Sequence, residues 1–255
     1  MKIKIITLNA WKQGNLQNKA VDFLNQEKPD IVFLQEIYNG EESQLELRYR
    51  SLNIFRSKLQ LAYWQFGPQF RDITPKDQVN AEQGLLTLST LPIVSFKNIY
   101  FDIQYTTLYN YEDKQDFSEL PQNVLFAKIN LDGTVLNVFN VHGPWNLNGT
   151  EDDRRRLAMS RIIVNEIKDK QNVIVAGDFN VRRPTQTIKQ IEKYLSNIFA
   201  DELKTTFNMK RKDNRGYAGA AVDMMFVSPN IKVIEHYCPQ VDISDHLPLV
   251  AVLEV

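Results

Sequence analysis

Strand-like and helix-like segments alternate along these 255 residues, and that alternation, a hairpin signal and a series of polar residues at strand ends predict an α/β fold on mixed sheets. Lys2–Leu8 alternates Lys with Ile before turning apolar and predicts the first strand; its apolar stretch is too short and too interrupted for a signal-peptide core. Asn15 is placed to cap a helix carrying Leu16, Ala20, Phe23 and Leu24, and Ile31–Leu34, after Pro29-Asp30, predicts a second strand. Gly84–Leu88, Val124–Leu131 and Val135–Val141 follow as strands, the last two joined by Asp132-Gly133, a strong antiparallel turn signal. A helix over about Asp152–Lys168 carries Met159, Ile163 and Ile167 four apart on one face, and Val173–Ala176 is a buried strand running into Gly177-Asp-Phe-Asn180. A shorter helix begins near Thr185 with Ile188, Ile191 and Leu195 inward, and Val222–Val227 and Leu249–Val255 close the chain as strands. Asn98–Gln122 has little periodicity and many aromatics, including Tyr100, Phe101, Tyr105, Tyr109, Tyr111 and Phe117, and fits either a pair of strands or a long loop.

With 43% hydrophobic and 24% charged residues, the composition is that of a soluble globular protein, and no repeat or Pro/Gly/Ser-rich linker divides it, so one domain over residues 1–255 is expected. Thirty basic against 31 acidic side chains exclude a strong global field for a polyanion, so any phosphate recognition must be local. The lone Cys238 excludes an intrachain disulfide, and no apolar run spans a bilayer; a cytoplasmic monomer is the expectation.

The polar residues that bear chemistry recur at the carboxyl ends of apolar strands: Asn9, Glu36, His142, and the pair Asp178 and Asn180. Strand ends aim side chains into a shared crevice, although any one Asp or Asn there is as readily a turn former. Glu36 is a carboxylate where a strand emerges, which suits a hard cation. Asp223 lies within an apolar strand and needs a partner, and Ser244-Asp-His246 sets a carboxylate beside an imidazole; a buried Asp that orients a His makes that His useful beside a phosphate. Two basic clusters, Arg182-Arg183 and Lys210-Arg211-Lys212 with Arg215, are expected to flank the same mouth and bind substrate, whereas Arg154-Arg-Arg156 reads as a helix surface.

In order, Thr7-Leu-Asn9, Leu34-Gln-Glu36, Gly84 with Leu88-Ser89 and Leu91-Pro-Ile93, Asn140-Val-His142, Gly177-Asp-Phe-Asn180, Val222-Asp223 with Met225-Phe-Val227, and Ser244-Asp-His-Leu-Pro248 resemble the motifs of the endonuclease/exonuclease/phosphatase superfamily, the group of pancreatic deoxyribonuclease and the abasic-site endonucleases. The likeness runs from Lys2 to the C-terminus. It implies two packed mixed β-sheets flanked by helices, a four-layer α/β sandwich, and a phosphate-ester hydrolase that uses Mg²⁺, with Mn²⁺ as a possible substitute. By position it makes Glu36 the main metal ligand with Asn9 and Asp245 nearby, Asp178 the group that orients or deprotonates water, Asn180 a holder of water or a phosphate oxygen, His246 oriented by Asp223 a phosphoryl ligand, and His142 a transition-state or leaving-group donor. Asp178 and His246 can exchange roles.

Two departures narrow the substrate. Trp11 stands where abasic-site endonucleases carry an acid, and Ala221-Val-Asp-Met224 lacks the Trp-Cys-Asp-Arg block of inositol-polyphosphate 5-phosphatases. The basic clusters with the aromatic stretch favour a nuclease or nucleotide phosphodiesterase on DNA, RNA or nucleotides. The alternatives are a hydrolase of a small phosphorylated metabolite or lipid head group, and an inactive binding module on the same fold.

Overall fold

A computed structural model describes residues 1–11, 16–111, 116–147, 149–212 and 218–255. In chain order the elements are β1 (Lys2–Asn9), α1 (Gln17–Glu27), β2 (Ile31–Asn39), α2 (Ser51–Lys58), β3 (Tyr63–Thr74), β4 (Val79–Ser89), β5 (Ile93–Tyr100), β6 (Thr106–Tyr109), β7 (Asn123–Leu131), β8 (Thr134–His142), α3 (Arg154–Ile167), β9 (Val173–Asp178), α4 (Gln186–Glu192), β10 (Ser196–Asn197), β11 (Asp223–Val227), β12 (Lys232–Tyr237) and β13 (Leu249–Glu254). The described strands form a seven-stranded sheet, β12-β13-β1-β2-β4-β3-β6, and a six-stranded sheet, β10-β11-β9-β8-β7-β5. Both are mixed: β1 runs parallel to β2 and β8 parallel to β9, while the β7–β8 hairpin and most other pairs are antiparallel.

Side-chain alternation builds the layers. On β1, Ile3 and Ile5 face the other sheet and pack with Val138, Ile174 and Met225, while Ile6 and Leu8 point the other way, onto Val21 and Leu24 of α1 and Phe55 of α2. Across the second sheet, Phe139, Val141 and Val175 pack under Met159 and Ile163 of α3 and Ile188 and Ile191 of α4. Strands buried on both faces explain why β2 and β9 read as nearly continuous apolar runs and why β1 turns apolar after Lys4. The result is the four-layer α/β sandwich.

Several details depart from the sequence expectations. The strand at Ile31–Leu34 continues to Asn39 through a bulge, and α3 starts at Arg154, with Asp153 accepting the Arg156 N–H at 2.9 Å as its N-cap. The Asn15 cap lies outside the described residues, as does the basic Arg215. The aromatic segment is part strand and part loop: β5 ends at Tyr100, β6 covers four residues, and Tyr111, Phe117, Leu120 and Gln122 line a cavity at the edge of the sandwich. Strand β3 has no clear sequence signal, because Gly67-Pro68 interrupts it; the register shift between Pro68 and Phe70 accommodates the proline, which has no N–H to give the ladder. Arg156 is not surface but 2% exposed, donating to the carbonyls of Pro144 at 3.2 Å, Glu151 at 2.5 Å and Gly149 at 2.8 Å.

Candidate active site

The alternation that builds the core also builds the site. Ile3, Ile5, Thr7 and Asn9 share one face of β1; Leu136, Val138, Asn140 and His142 share one face of β8; Ile174, Ala176 and Asp178 share one face of β9; Val227, Met225 and Asp223 share one face of β11. Each row begins apolar between the sheets and ends polar at the same edge of the sandwich. Beneath the polar edge lies a buried amide layer, in which Gln35 donates to Asn140 Oδ1 at 2.7 Å and to Thr7 Oγ1 at 3.2 Å, and Asn140 donates to the carbonyls of Leu34 and Leu86. Those bonds tie the two sheets together under the site.

A cavity of about 280 Å³ opens at that edge, lined by Glu36, His142, Asp178, Asn180, Lys212, Asp245 and His246 and walled by Trp11, Tyr111, Phe117, Trp145 and Phe207. Asp178 is central. Its Oδ2 accepts from Asn9 Nδ2 at 3.0 Å and lies 3.9 Å from both His142 Nε2 and His246 Nε2; its Oδ1 accepts the Asn180 backbone N–H at 2.8 Å. Asn9 also donates to Glu36 Oε1 at 3.1 Å, while its own Oδ1 accepts from the Trp11 N–H at 3.0 Å. Glu36 (φ 61°) and Asn180 (φ 52°) both hold left-handed backbone, which Asn tolerates and Glu adopts only under constraint, here the bulge between Leu34 and Ile37.

His246 is oriented by Asp223: its Nδ1 donates to Asp223 Oδ2 at 2.8 Å, and Thr206 Oγ1 donates to the same oxygen at 2.6 Å. Burial alone would lower the His246 pKa, but the charge and hydrogen bond of Asp223, then the charges of Asp178 and Asp245, outweigh it and push the pKa up to about 10. For Asp178 burial is the leading influence and, with the Asp223 charge, raises its pKa against the opposing pull of His246, His142 and Asn9. His142 leans on a second buried chain, with Nδ1 3.4 Å from Gln69 Oε1 and Gln69 donating in turn to Gln122.

Two groupings could hold a cation. Asp178, Asp223 and His246 offer ligand atoms within 4.8 Å of one another, but the Asp223 oxygen and the His246 Nδ1 are already committed to each other. The better fit to a hard ion is Glu36 with Asp245 and the adjoining Asn9 and Asp178, an oxygen-rich set at the cavity mouth. That set already draws positive charge: Lys212 Nζ lies 2.6 Å from Asp245 Oδ2, and although burial alone would lower its pKa, the charge of Asp245 and, more weakly, those of Glu36 and Asp178 raise it.

All eight residues expected from the strand-end pattern and its family likeness converge here. Most of the basic clusters do not. Arg182 pairs with Glu151, Arg183 with Glu192 and Asp201 at 2.5 Å each, and Arg211 with Asp242 at 2.5 Å, and none of these, nor the exposed Lys210, lines the cavity. Their acidic partners are remote in sequence or on neighbouring loops, so the sequence gives no warning of them. Gln83, Gln122, Trp145 and Phe207 also line the cavity without a sequence signal, since a lone Gln or aromatic on a strand or loop reads as ordinary.

The model of the Endonuclease/Exonuclease/phosphatase family matches residues 6–246. No curated protein matches the chain in sequence. Among solved structures, the chain is similar to an endonuclease/exonuclease/phosphatase from Beutenbergia cavernae (TM-score 0.76, 16% identity, covering 100% of this chain and 72% of that one). It is also similar to D. rerio TDP2 complexed with single strand DNA product (TM-score 0.69, 17% identity, 100% and 99% covered) and to a mannosyl-6-phosphatase from Bacteroides thetaiotaomicron (TM-score 0.69, 17% identity, 99% and 100% covered). At these identities the three likenesses establish the shared fold.

Proposed function

The chain belongs to the endonuclease/exonuclease/phosphatase family, and from that premise we propose that it is a Mg²⁺-dependent hydrolase of small phosphate esters, acting by in-line attack of a water on phosphorus. The observation that carries this reading is Asp178 Oδ2, held by Asn9 and equally distant, at 3.9 Å, from the two imidazoles. Glu36 and Asp245, with Asn9 beside them, would hold the ion, which supplies charge neutralisation at the phosphoryl oxygens when bound. Asp178, made more basic by burial, takes the proton of the attacking water, and Asn180 fixes its other oxygen. His246, kept protonated by Asp223, donates to a non-bridging oxygen; His142, backed by Gln69, serves the departing oxygen from the other side.

The ion-paired state of Arg182, Arg183 and Arg211 supports a small ester over a nucleic-acid strand, because those side chains are not offered to a run of phosphates. The cavity volume, about 280 Å³, supports the same choice. A nuclease or nucleotide phosphodiesterase is the second reading, favoured by Tyr111, Phe117 and Trp145, whose rings could stack a base. The fold does not separate the two, since it is shared with D. rerio TDP2 and with a mannosyl-6-phosphatase. The test is turnover with Mg²⁺ or EDTA on p-nitrophenyl phosphate, bis(p-nitrophenyl) phosphate, hexose phosphates, nucleotides, and single- and double-stranded DNA. Mg²⁺-dependent release from the small esters, reduced about 100-fold or more in Asp178→Asn, is expected. Cleavage confined to DNA would leave the second reading, and no metal-dependent turnover on any arm would sink both.

A further inference from the structure

Gln83 lies on β4 opposite Tyr38 of β2 and Phe70 of β3, one residue before Gly84, the partner of Ile37 beside Glu36. Strand alternation puts it on the face between the sheets, and it lines the catalytic cavity while being only 2% exposed. Among the described residues its Nε2 has no hydrogen-bond partner. A buried amide that donates to nothing is destabilising, and such groups are rare in folded proteins, so its presence beside a reaction site calls for a partner supplied from outside the chain.

The surroundings describe that partner. On the same cavity wall, Phe70, Tyr111, Phe117 and Trp145 form a file of rings with centroids 4.9, 5.4 and 5.8 Å apart, of which the last three residues reach the cavity. The same cavity is lined by Gln122, another buried amide, whose Oε1 is held by Gln69. Ring faces beside fixed amides suit a flat or puckered ring that carries hydrogen-bond acceptors, since an alkyl group would leave the Gln83 donor unpaired and an unbranched phosphate would leave the rings uncovered. At about 280 Å³ there is space for one such ring with its phosphate.

We infer that Gln83 determines specificity: its carboxamide donates to an oxygen on the organic group esterified to phosphate, and that group is a single hydroxylated ring lying against Tyr111, Phe117 and Trp145. This rests on the phosphoesterase reading of the cavity and names its substrate class, the phosphate monoester of a hydroxylated ring. A hexose, an inositol and the ribose of a mononucleotide share that chemistry.

The test reads binding to Asp178→Asn protein by titration calorimetry in Mg²⁺ buffer, with glucose 6-phosphate, inositol 1-phosphate, adenosine 5′-monophosphate and inorganic phosphate as separate probes. At least one ester should bind about tenfold or more tighter than inorganic phosphate, and Gln83→Met should reduce that ratio about five- to tenfold, the size of one neutral hydrogen bond. Gln83→Leu repeats the comparison with a second apolar side chain, so that a packing fault in one variant does not pass for the lost donor. Equal affinity for the esters and inorganic phosphate, a ratio that survives both variants, or tighter binding of a single-stranded DNA oligonucleotide than of any ester would overturn the inference. An ester preference that is lost in Gln83→Met and Gln83→Leu, without turnover by the unmodified protein, would sink the hydrolase reading alone; no ester preference with Gln83 in place, with turnover by the unmodified protein preserved, would sink this one alone.

Discussion

The Asp223–His246 hydrogen bond, 2.8 Å and fully buried, sets the charge of the site at neutral pH. Because the folded-state pKa of His246 is pushed from 6.5 to about 10, its contribution to stability is complete below pH 6.5 and is lost as pH rises through 10. In metal-free buffer the free energy of unfolding should therefore fall across that window, and His246→Gln should flatten the slope; equal slopes in both proteins would show that the pair is not responsible. Glu36 makes a separate prediction. Glu36→Gln keeps the shape and removes the charge, so Mg²⁺ activation should move to at least about tenfold higher Mg²⁺ concentration with the melting temperature little changed. Wild-type activation by Mg²⁺ in that variant would remove Glu36 from the ion's ligands. Glu36 was legible as a carboxylate at an apolar strand end, and His246 through the Ser244-Asp-His246 run and the acid Asp223 within an apolar strand. Gln83 was not, since a strand Gln reads as solvent-facing until the second sheet is known to cover it.

Among the elements, the loop between β8 and α3 carries Trp145 into the cavity wall, and Arg156 holds it by donating to the carbonyls of Pro144, Gly149 and Glu151. A buried guanidinium whose donors meet carbonyl oxygens is a fixed bracket, and truncating it strands those carbonyls. Arg156→Met should lower unfolding stability by about 2–4 kcal/mol, read as a shift in denaturant midpoint; an unchanged midpoint would mean that the loop holds itself. Gly177 is a second fixed point, because a Cβ there would sit 2.0 Å from the Val141 carbonyl oxygen, where β8 and β9 run parallel into His142 and Asp178. The strand rows ending in Asn9, His142 and Asp178 could be read from apolar runs alone. Arg156 could not, since three successive arginines on a helix read as solvated until one is seen to turn under the loop, and β3 was hidden by the Gly67-Pro68 interruption that its bulge absorbs.

For the whole molecule, a net charge of −1 and paired arginines leave little field to gather a polyanion. Anisotropy with a single-stranded oligonucleotide should show binding weaker than about 1 μM at physiological salt with a shallow salt dependence, whereas tight binding that weakens steeply with salt would restore the nucleic-acid reading. The stacking of two sheets was legible only through the order of family motifs, because apolar periodicity identifies each strand and not the sheet it joins. That stacking is also what brings Asn9 and Glu36 from one sheet against Asp178, His142 and Asp223 from the other. The chemistry assigned to this meeting point is water attack on phosphorus, and the most direct measurement of it is hydrolysis of p-nitrophenyl phosphate in ¹⁸O-labelled water with Mg²⁺. Attack on phosphorus puts ¹⁸O in the released phosphate and none in the p-nitrophenol, with the labelled product lost in Asp178→Asn; label in the p-nitrophenol, or labelled phosphate formed equally by Asp178→Asn, would contradict it.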